Sequence, residues 1–131
     1  MNLAAYRDQG HVTVPGVFAP AEIGFDDASV ENGCLYFGEG THRAPVIEHF
    51  APPGEPFNLQ VAEAAAARIP MTAAPVRKGG VSFHHGGVLH RSGPNHSARW
   101  RRACALHYVS NGNDFAHAAL PFDQAMRMRI T

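Results

Sequence analysis

The residues with the clearest chemical potential lie between positions 84 and 103, where histidines and arginines surround an SGPN turn. On a β-strand His84 and His85 point to opposite faces, so both rings cannot serve one site from the same side. His90 follows an apolar pair just before the turn, and resumed alternation directs its imidazole toward a barrel mouth. The same geometry disfavours a zinc site made from His84, His85, His90 and His96, because it scatters their rings.

Two adjacent arginines follow the turn. Arg101 and Arg102 must face opposite sides of a strand, so one of them is expected to face the interior. A guanidinium buried without an anion is costly, and a ligand carboxylate matches its fork of donors. Spacing alone leaves two interpretations open: a site for a metal and a carboxylate, or a solvated basic turn.

Composition narrows the class of protein. The 131 residues suit one domain, and 11 basic against 11 acidic residues give a formal net charge of zero. This balance argues against nucleic acid or an anionic membrane surface as the main partner. We recognise neither a signal peptide nor a membrane span. Cys34 and Cys104 each lie in an apolar run, which is typical of buried, reduced thiols. We therefore expect a cytoplasmic protein.

Short apolar runs between glycines and prolines predict an all-β, mainly antiparallel fold with one or two short helices. The predicted strands are residues 11–18, 33–38, 79–85 and 102–110. The helical candidates are residues 19–23 and 58–69, and Asn32-Gly33 is predicted to form a turn. Alternation on the second strand places Leu35 and Phe37 on one face and Cys34 and Tyr36 on the other.

Two longer segments carry a family resemblance. GFDDASVENGCLYFGEGTHR (24–43) and GGVSFHHGGVLHRSGPNHSARWRRACALHYV (79–109) resemble, in this order, segments of the phytanoyl-CoA dioxygenase family. The opening YRDQGHVTVPGVFAPAEI (6–23) resembles the N-terminal strand and helix of that family. The resemblance implies an iron(II)- and 2-oxoglutarate-dependent oxygenase that hydroxylates a small organic substrate. Its fold is a double-stranded β-helix, or jelly roll.

Three residues of this sequence match site positions of the family. His90 matches the distal histidine that ligates iron, Arg101 matches the arginine that grips the far carboxylate of 2-oxoglutarate, and Ser92 matches the hydroxyl that assists it. The cofactors implied by the resemblance are therefore iron(II) and 2-oxoglutarate. The histidines that match positions without a usual ligand role are His42, His84 and His85.

The sequence departs from the family at the other two iron ligands. Family members supply them with an HxD motif that precedes the segment beginning at Gly24, and this sequence contains no HxD. Residues 21–23 run directly into residues 24–26, as though an internal segment were missing near residue 23. A non-haem iron oxygenase needs two histidines and one carboxylate on one face. The resemblance together with this departure predicts a single truncated domain, residues 1–131, with an incomplete jelly roll.

Two functions follow from this departure. The first is an iron(II)/2-oxoglutarate-dependent dioxygenase impaired by the missing ligands, for which we expect no turnover. The alternative is a non-catalytic remnant or a 2-oxoacid-binding module without redox activity. In either case an intact Arg101 predicts weak binding of 2-oxoglutarate, and exposed strand edges allow self-association.

Overall fold

The computed structural model describes residues 2–22, 25–55 and 59–108. That part of the chain contains short strands, two α-helices and one 3-10 helix (Thr41–Arg43). The α-helices are α1 (Leu3–Gln9) and α2 (Glu63–Ala66). The strands are β1 (His11–Val14), β2 (Leu35–Phe37), β3 (His49–Phe50), β4 (Gln60–Val61), β5 (Thr72–Ala74), β6 (Val81–His84) and β7 (His90–Ser92). All their pairings are antiparallel, so the predicted fold class is confirmed.

The strands form three small sheets, β1–β6, β5–β2–β7 and β3–β4. In the first sheet His11 lies opposite His84, and in the second Phe37 lies opposite His90. Strand β6 ends at His84 and strand β7 begins at His90, so residues 85–89 connect the two sheets. This connection brings one histidine from each sheet to the same end of the molecule.

The core centres on β2. Phe37 is fully buried and clusters with Val88 and Ala74, and Leu35 packs against this cluster. Tyr36 faces the other way, beneath the guanidinium of Arg91, which lies 5.6 Å from the ring centre. The predicted alternation is therefore confirmed for Leu35, Tyr36 and Phe37, whereas Cys34 lies just before the strand.

Helix α1 was not predicted, although its ends carry ordinary capping residues. The side chain of Asn2 accepts a hydrogen bond from the Ala5 amide at 3.1 Å. Gly10 has a φ of 86°, and its amide donates to the Tyr6 carbonyl. An N-cap asparagine and a left-handed glycine eight residues later are recognisable helix boundaries. No helix within the described ranges has the length and apolarity to cross a membrane.

The helix predicted at residues 19–23 is wrong over residues 19–22, and the helix predicted at residues 58–69 is too long; residues 23 and 58 lie outside the described ranges. Residues 19–22 form a turn, in which the Glu22 carboxylate accepts a hydrogen bond from the Ala19 amide. Among residues 59–69 of the second segment only α2 is an α-helix, and Gln60–Val61 forms β4. An alanine run has no wide apolar stripe to bury, and one turn of helix is unstable without such packing.

The strand predicted at residues 102–110 is also wrong over the part that the structure describes. Residues 102–108 form neither helix nor strand, and residues 109 and 110 lie outside the described ranges. Leu106 and Tyr108 are 71% and 68% exposed, and no described strand lies beside them to complete a ladder. Cys104 is exposed for the same reason, contrary to prediction, whereas Cys34 is buried as predicted.

Candidate functional site

Strand β7 positions two of the predicted site residues. His90 and Ser92 are paired with Phe37 and Leu35 of β2, and Arg91 between them is paired with Tyr36. Because successive side chains alternate, His90 and Ser92 share a face of the strand, while Arg91 covers Tyr36 on the other. The structure thus brings the predicted iron ligand and the predicted hydroxyl onto one face.

The His90 ring is oriented by the backbone that precedes it. Its Nδ1 lies 3.1 Å from the carbonyl oxygen of Val88. A carbonyl only accepts, so Nδ1 carries the proton and Nε2 keeps a free lone pair. Val88 is 2% exposed, and its own amide donates to the His85 carbonyl at 3.0 Å. The imidazole is therefore held with its Nε2 available as a ligand atom, the arrangement common among metal-binding histidines.

His84 lies beside His90, with 5.0 Å between the ring centres. Both rings also contact Phe37, at 5.2 Å from His84 and 6.1 Å from His90. The expectation that strand geometry scatters the histidines is wrong for this pair, because the two residues stand on different strands that meet at one end. It holds for His85, which turns away to His42, and for His96, whose amide donates to the Glu31 carbonyl.

Burial lowers the pKa of His84, and positive charge on neighbouring histidines lowers it further. A lowered pKa favours the neutral imidazole near pH 7, the form that has a lone pair to offer. The neighbours that contribute are His90, His107 and His11.

His11 is a residue that was not predicted to belong to the site. It is 8% exposed, its ring stacks on Phe37 at 4.3 Å, and neither ring nitrogen has a hydrogen-bond partner among the described residues. Nε2 lies 3.5 Å from a carboxylate oxygen of Glu39. An isolated histidine gives no sequence signal for this, since the contacts come from strand pairing.

The two adjacent arginines have different surroundings. Arg102 is exposed and forms a bidentate pair with Asp26, with N–O distances of 3.0 Å from both Nε and Nη2. These hydrogen bonds, with that of the Arg102 amide, lower the pKa of Asp26 to about 2. The Arg102 charge is thus matched within the chain, and Asp26 is a structural partner rather than a catalytic acid.

Arg101 is the less exposed arginine of the pair. Its guanidinium makes no hydrogen bond or ion pair with a described residue, and it lies within electrostatic reach of Cys34. Burial raises the pKa of the Cys34 thiol, and the positive charge of Arg101 opposes that rise. Cys34 directly precedes Leu35, the β2 residue that is paired with Ser92.

The loop around Asn32 holds the segment that contains Arg99, Trp100 and Arg101 in place. The fully buried Asn32 donates from its amide to the carbonyls of Asp27, at 2.7 Å, and Trp100, at 3.4 Å. Glu31 accepts from the Arg99 guanidinium at 3.0 Å. Gly33 has a φ of 85°, as predicted for the Asn-Gly turn. The Asn32 bond holds the backbone just before Arg101, and the bonds between Arg102 and Asp26 hold it just after.

One surface cavity of about 400 Å³ opens next to this loop. It is lined by Phe25, Asp26, Asp27, Asn32, Lys78, Arg99 and Trp100. None of the three predicted site residues lines it, so the cavity is separate from the β7 face that carries His90 and Ser92.

The described residues do not fit the iron site of a 2-oxoglutarate oxygenase. No three histidine, cysteine, aspartate or glutamate side chains in residues 2–22, 25–55 and 59–108 are placed to hold one metal ion together. His90 therefore lacks the combination of a further histidine and a carboxylate among the described residues that such a site requires.

Comparison with known proteins shows the family. A profile of the phytanoyl-CoA dioxygenase (PhyH) family matches residues 4–103, and the chain belongs to this family. Phytanoyl-CoA dioxygenase domain-containing protein 1 of Mus musculus is 39% identical over 94 residues, covering 66% of this chain and 31% of that protein. Its Caenorhabditis elegans homolog is 31% identical over 98 residues, covering 70% and 34%. The chain thus spans about a third of the length of these relatives.

Similar solved structures include EvdO2 from Micromonospora carbonacea var. aurantiaca, with 21% identity and a TM-score of 0.49 over 68% of this chain and 45% of that one. Another is the epimerase SnoN in complex with Fe3+, alpha ketoglutarate and nogalamycin RO. It has 23% identity and a TM-score of 0.44 over 72% of this chain and 40% of that one.

Proposed function

We propose that this chain is the oxoacid-binding part of an iron(II)- and 2-oxoglutarate-dependent dioxygenase that hydroxylates a small organic substrate. In this proposal Arg101 binds the far carboxylate of 2-oxoglutarate and Ser92 assists it. The observation that carries the proposal is the difference between the two arginines. Arg102 has a carboxylate partner inside the chain, whereas Arg101 has none among the described residues.

The partial burial of Arg101, together with its lack of a partner among the described residues, favours an anionic ligand. A guanidinium that is half removed from water loses solvation, and an anionic partner restores favourable electrostatics. Its planar fork of N–H donors suits the two oxygens of a carboxylate. A dicarboxylic oxoacid provides such a group at the end remote from its keto acid.

The same proposal holds that the 131-residue chain has no oxygenase turnover of its own. Iron(II), where a full site binds it, supplies the oxygen chemistry of the family, and the protein supplies binding and orientation. Here two of the three ligands have no counterpart in the sequence, which contains no HxD. His90 remains as the only residue that matches a ligand position of the family, and one such imidazole does not hold iron(II) tightly.

The expected affinity for 2-oxoglutarate is low. A charge-assisted arginine–carboxylate contact contributes about 1.5–3 kcal/mol. A dissociation constant of about 1 mM corresponds to about 4 kcal/mol, and ordering a small ligand opposes binding. Arg101 alone therefore supports a dissociation constant no better than about millimolar.

Titration of 2-oxoglutarate, followed by NMR or calorimetry without metal, tests the binding. We expect weak saturable binding that is lost in Arg101→Ala and kept in Arg102→Ala. Glutarate, which lacks the keto group, should bind about equally well, because no metal chelates the keto acid. Equal behaviour of the two arginine variants contradicts the proposal.

Turnover is tested separately by adding iron(II) and following succinate and oxygen. No succinate should form above the background of free iron(II). Succinate released in step with oxygen uptake, and abolished in His90→Ala, would show that the chain is an active oxygenase.

The other sequence-based expectations stay predictions. They are a single domain over residues 1–131, a cytoplasmic location, and self-association through exposed strand edges. A small-molecule substrate, rather than nucleic acid or a membrane, is the expected partner. The zero net charge supports the partner class, and the two free cysteines suit a reducing compartment.

A further inference from the structure

We propose that His84 and His90 form a two-histidine site for a divalent transition metal ion such as Zn²⁺. The two residues end β6 and begin β7, so they stand on different sheets and meet where residues 85–89 connect them. Both residues are exposed enough for an ion to reach them from solvent. His84 has no ligand role in the family resemblance, so this pair differs from the iron site of the family.

The spacing of the rings suits shared coordination. Imidazole nitrogens bind Zn²⁺ at about 2.0–2.1 Å, and tetrahedral coordination then puts the centres of two such rings roughly 5 Å apart. The centres of His84 and His90 are 5.0 Å apart, with their planes inclined by 50°. Phe37 contacts both rings from the core side and limits their movement.

Nε2 of His90 and both ring nitrogens of His84 have no hydrogen-bond partner among the described residues, so each ring can offer a lone pair to a metal ion. The Val88 carbonyl occupies Nδ1 of His90 and leaves Nε2 with its lone pair. His84 makes no hydrogen bond or ion pair with any described residue, so neither of its nitrogens is engaged by another group. The adjacent His85 differs, because its Nδ1 accepts a hydrogen bond from the Gly87 amide at 2.9 Å.

The number and type of ligands determine which ions bind. No third protein ligand of the described residues joins the pair, so water completes the coordination. An open site of two imidazoles prefers Cu²⁺, Ni²⁺ and Zn²⁺ to iron(II), and it gives Mg²⁺ none of the oxygen ligands which that ion requires. The site should therefore bind a metal ion of intermediate softness, such as Zn²⁺, with modest affinity.

Calorimetric titration of the tag-free chain with Zn²⁺, without oxoacid, tests the site independently of 2-oxoglutarate binding. We expect one Zn²⁺ per chain and no detectable binding of Mg²⁺. The variants His84→Phe and His90→Phe keep a ring against Phe37 and remove the nitrogens, and each should weaken Zn²⁺ binding at least tenfold. The matched control His85→Phe should bind as the unmodified chain does. Unchanged binding in His84→Phe, or an equal loss in His85→Phe, overturns the proposal.

A second measurement does not depend on the folding of any variant. Zn²⁺ should shift the ring-proton NMR signals of both His84 and His90 in the unmodified chain, with the same saturation curve. A shift confined to one of the two rings, or to other histidines, contradicts a shared ion.

Discussion

The β5–β2–β7 sheet and the segment of residues 100–108 differ in what lies beside them. In the sheet, β2 has a strand on each side, and Phe37 is fully buried. In the segment, Trp100, Leu106 and Tyr108 are all more than two-thirds exposed. The side-chain amide of Asn32 and the backbone amide of Asp26 donate hydrogen bonds to the carbonyls of Trp100 and Arg102 and hold the segment there. The segment is thus attached at its beginning, and residues 103–108 form no sheet.

The difference shows that a strand needs a neighbour as much as a suitable composition. An isolated extended segment gains no ladder hydrogen bonds and buries no face, so β propensity alone does not order it. This chain matches only 31% and 34% of the length of two of its relatives, and the neighbours of such a segment can come from the residues of those relatives that lie outside the match.

The largest effect should come from removing the central side chain of the sheet. Phe37→Ala deletes a fully buried ring from the cluster with Val88 and Ala74, and we expect a loss of about 3 kcal/mol in unfolding free energy. Leu106→Ala, in the exposed segment, should change it by less than about 0.5 kcal/mol. Urea denaturation followed by circular dichroism measures both. Similar losses in the two variants would mean that the segment is as well packed as the sheet.

The next effect concerns the residue that joins the two regions. Asn32→Ala removes buried hydrogen bonds to Ser29, Asp27 and Trp100, and we expect it to lower the unfolding free energy by about 2 kcal/mol. Trp100 is the only tryptophan, so its fluorescence reports on the segment. The emission of Trp100 should change in Asn32→Ala under native conditions. The exposed Asn95→Ala serves as the control and should have the smaller effect on stability. Loss of stability without a change in emission would show that Asn32 does not couple the regions.

The sheet was the more predictable of the two regions. Alternating apolar residues and the Asn32-Gly33 turn gave β2 and its faces correctly, because both signals are local. The segment was mispredicted because its sequence carries strand propensity but says nothing of whether a partner strand is present. The helix over residues 58–69 failed for a related reason, since alanines favour helix locally and gain little by packing.

The candidate site, like the fold, could be predicted from the sequence only in part. Alternation predicted that Arg101 and Arg102 differ in environment, but not that Asp26, 76 residues away, selects Arg102 as its partner. The approach of His84 to His90 depends on which strands join which sheets, and no spacing rule contains that information. The motif identified His90, Ser92 and Arg101 as candidates, and only the fold showed what surrounds each of them.

The two cysteines, one in each region, allow the sheet and the segment to be compared without any substitution. Cys34 is buried and its thiol pKa is raised by burial, whereas Cys104 is exposed in the segment. The thiolate is the reactive form, so Cys104 should react with a thiol reagent at least about tenfold faster than Cys34. Timed labelling followed by peptide mass spectrometry gives both rates, and a denatured sample provides the control in which they converge. Comparable rates in the folded chain would show that β2 opens as readily as the segment.

The smallest expected effect is the pH dependence of the stability that the Asp26–Arg102 ion pair contributes. This pair attaches the segment of residues 100–108 to Asp26. The Arg102 hydrogen bonds lower the pKa of Asp26 from its ordinary 3.8 to about 2. The native state thus holds the carboxylate charged at pH values where the unfolded chain binds a proton. The stabilisation is therefore complete above about pH 5 and is lost as the pH falls through 3.8 toward 2. An NMR titration of the Asp26 carboxyl should give the lowered value, and Arg102→Ala should return it toward 3.8. Because the pair is exposed, its contribution should shrink with added salt. An Asp26 pKa that stays near 2 in Arg102→Ala would show that Arg102 does not cause the shift.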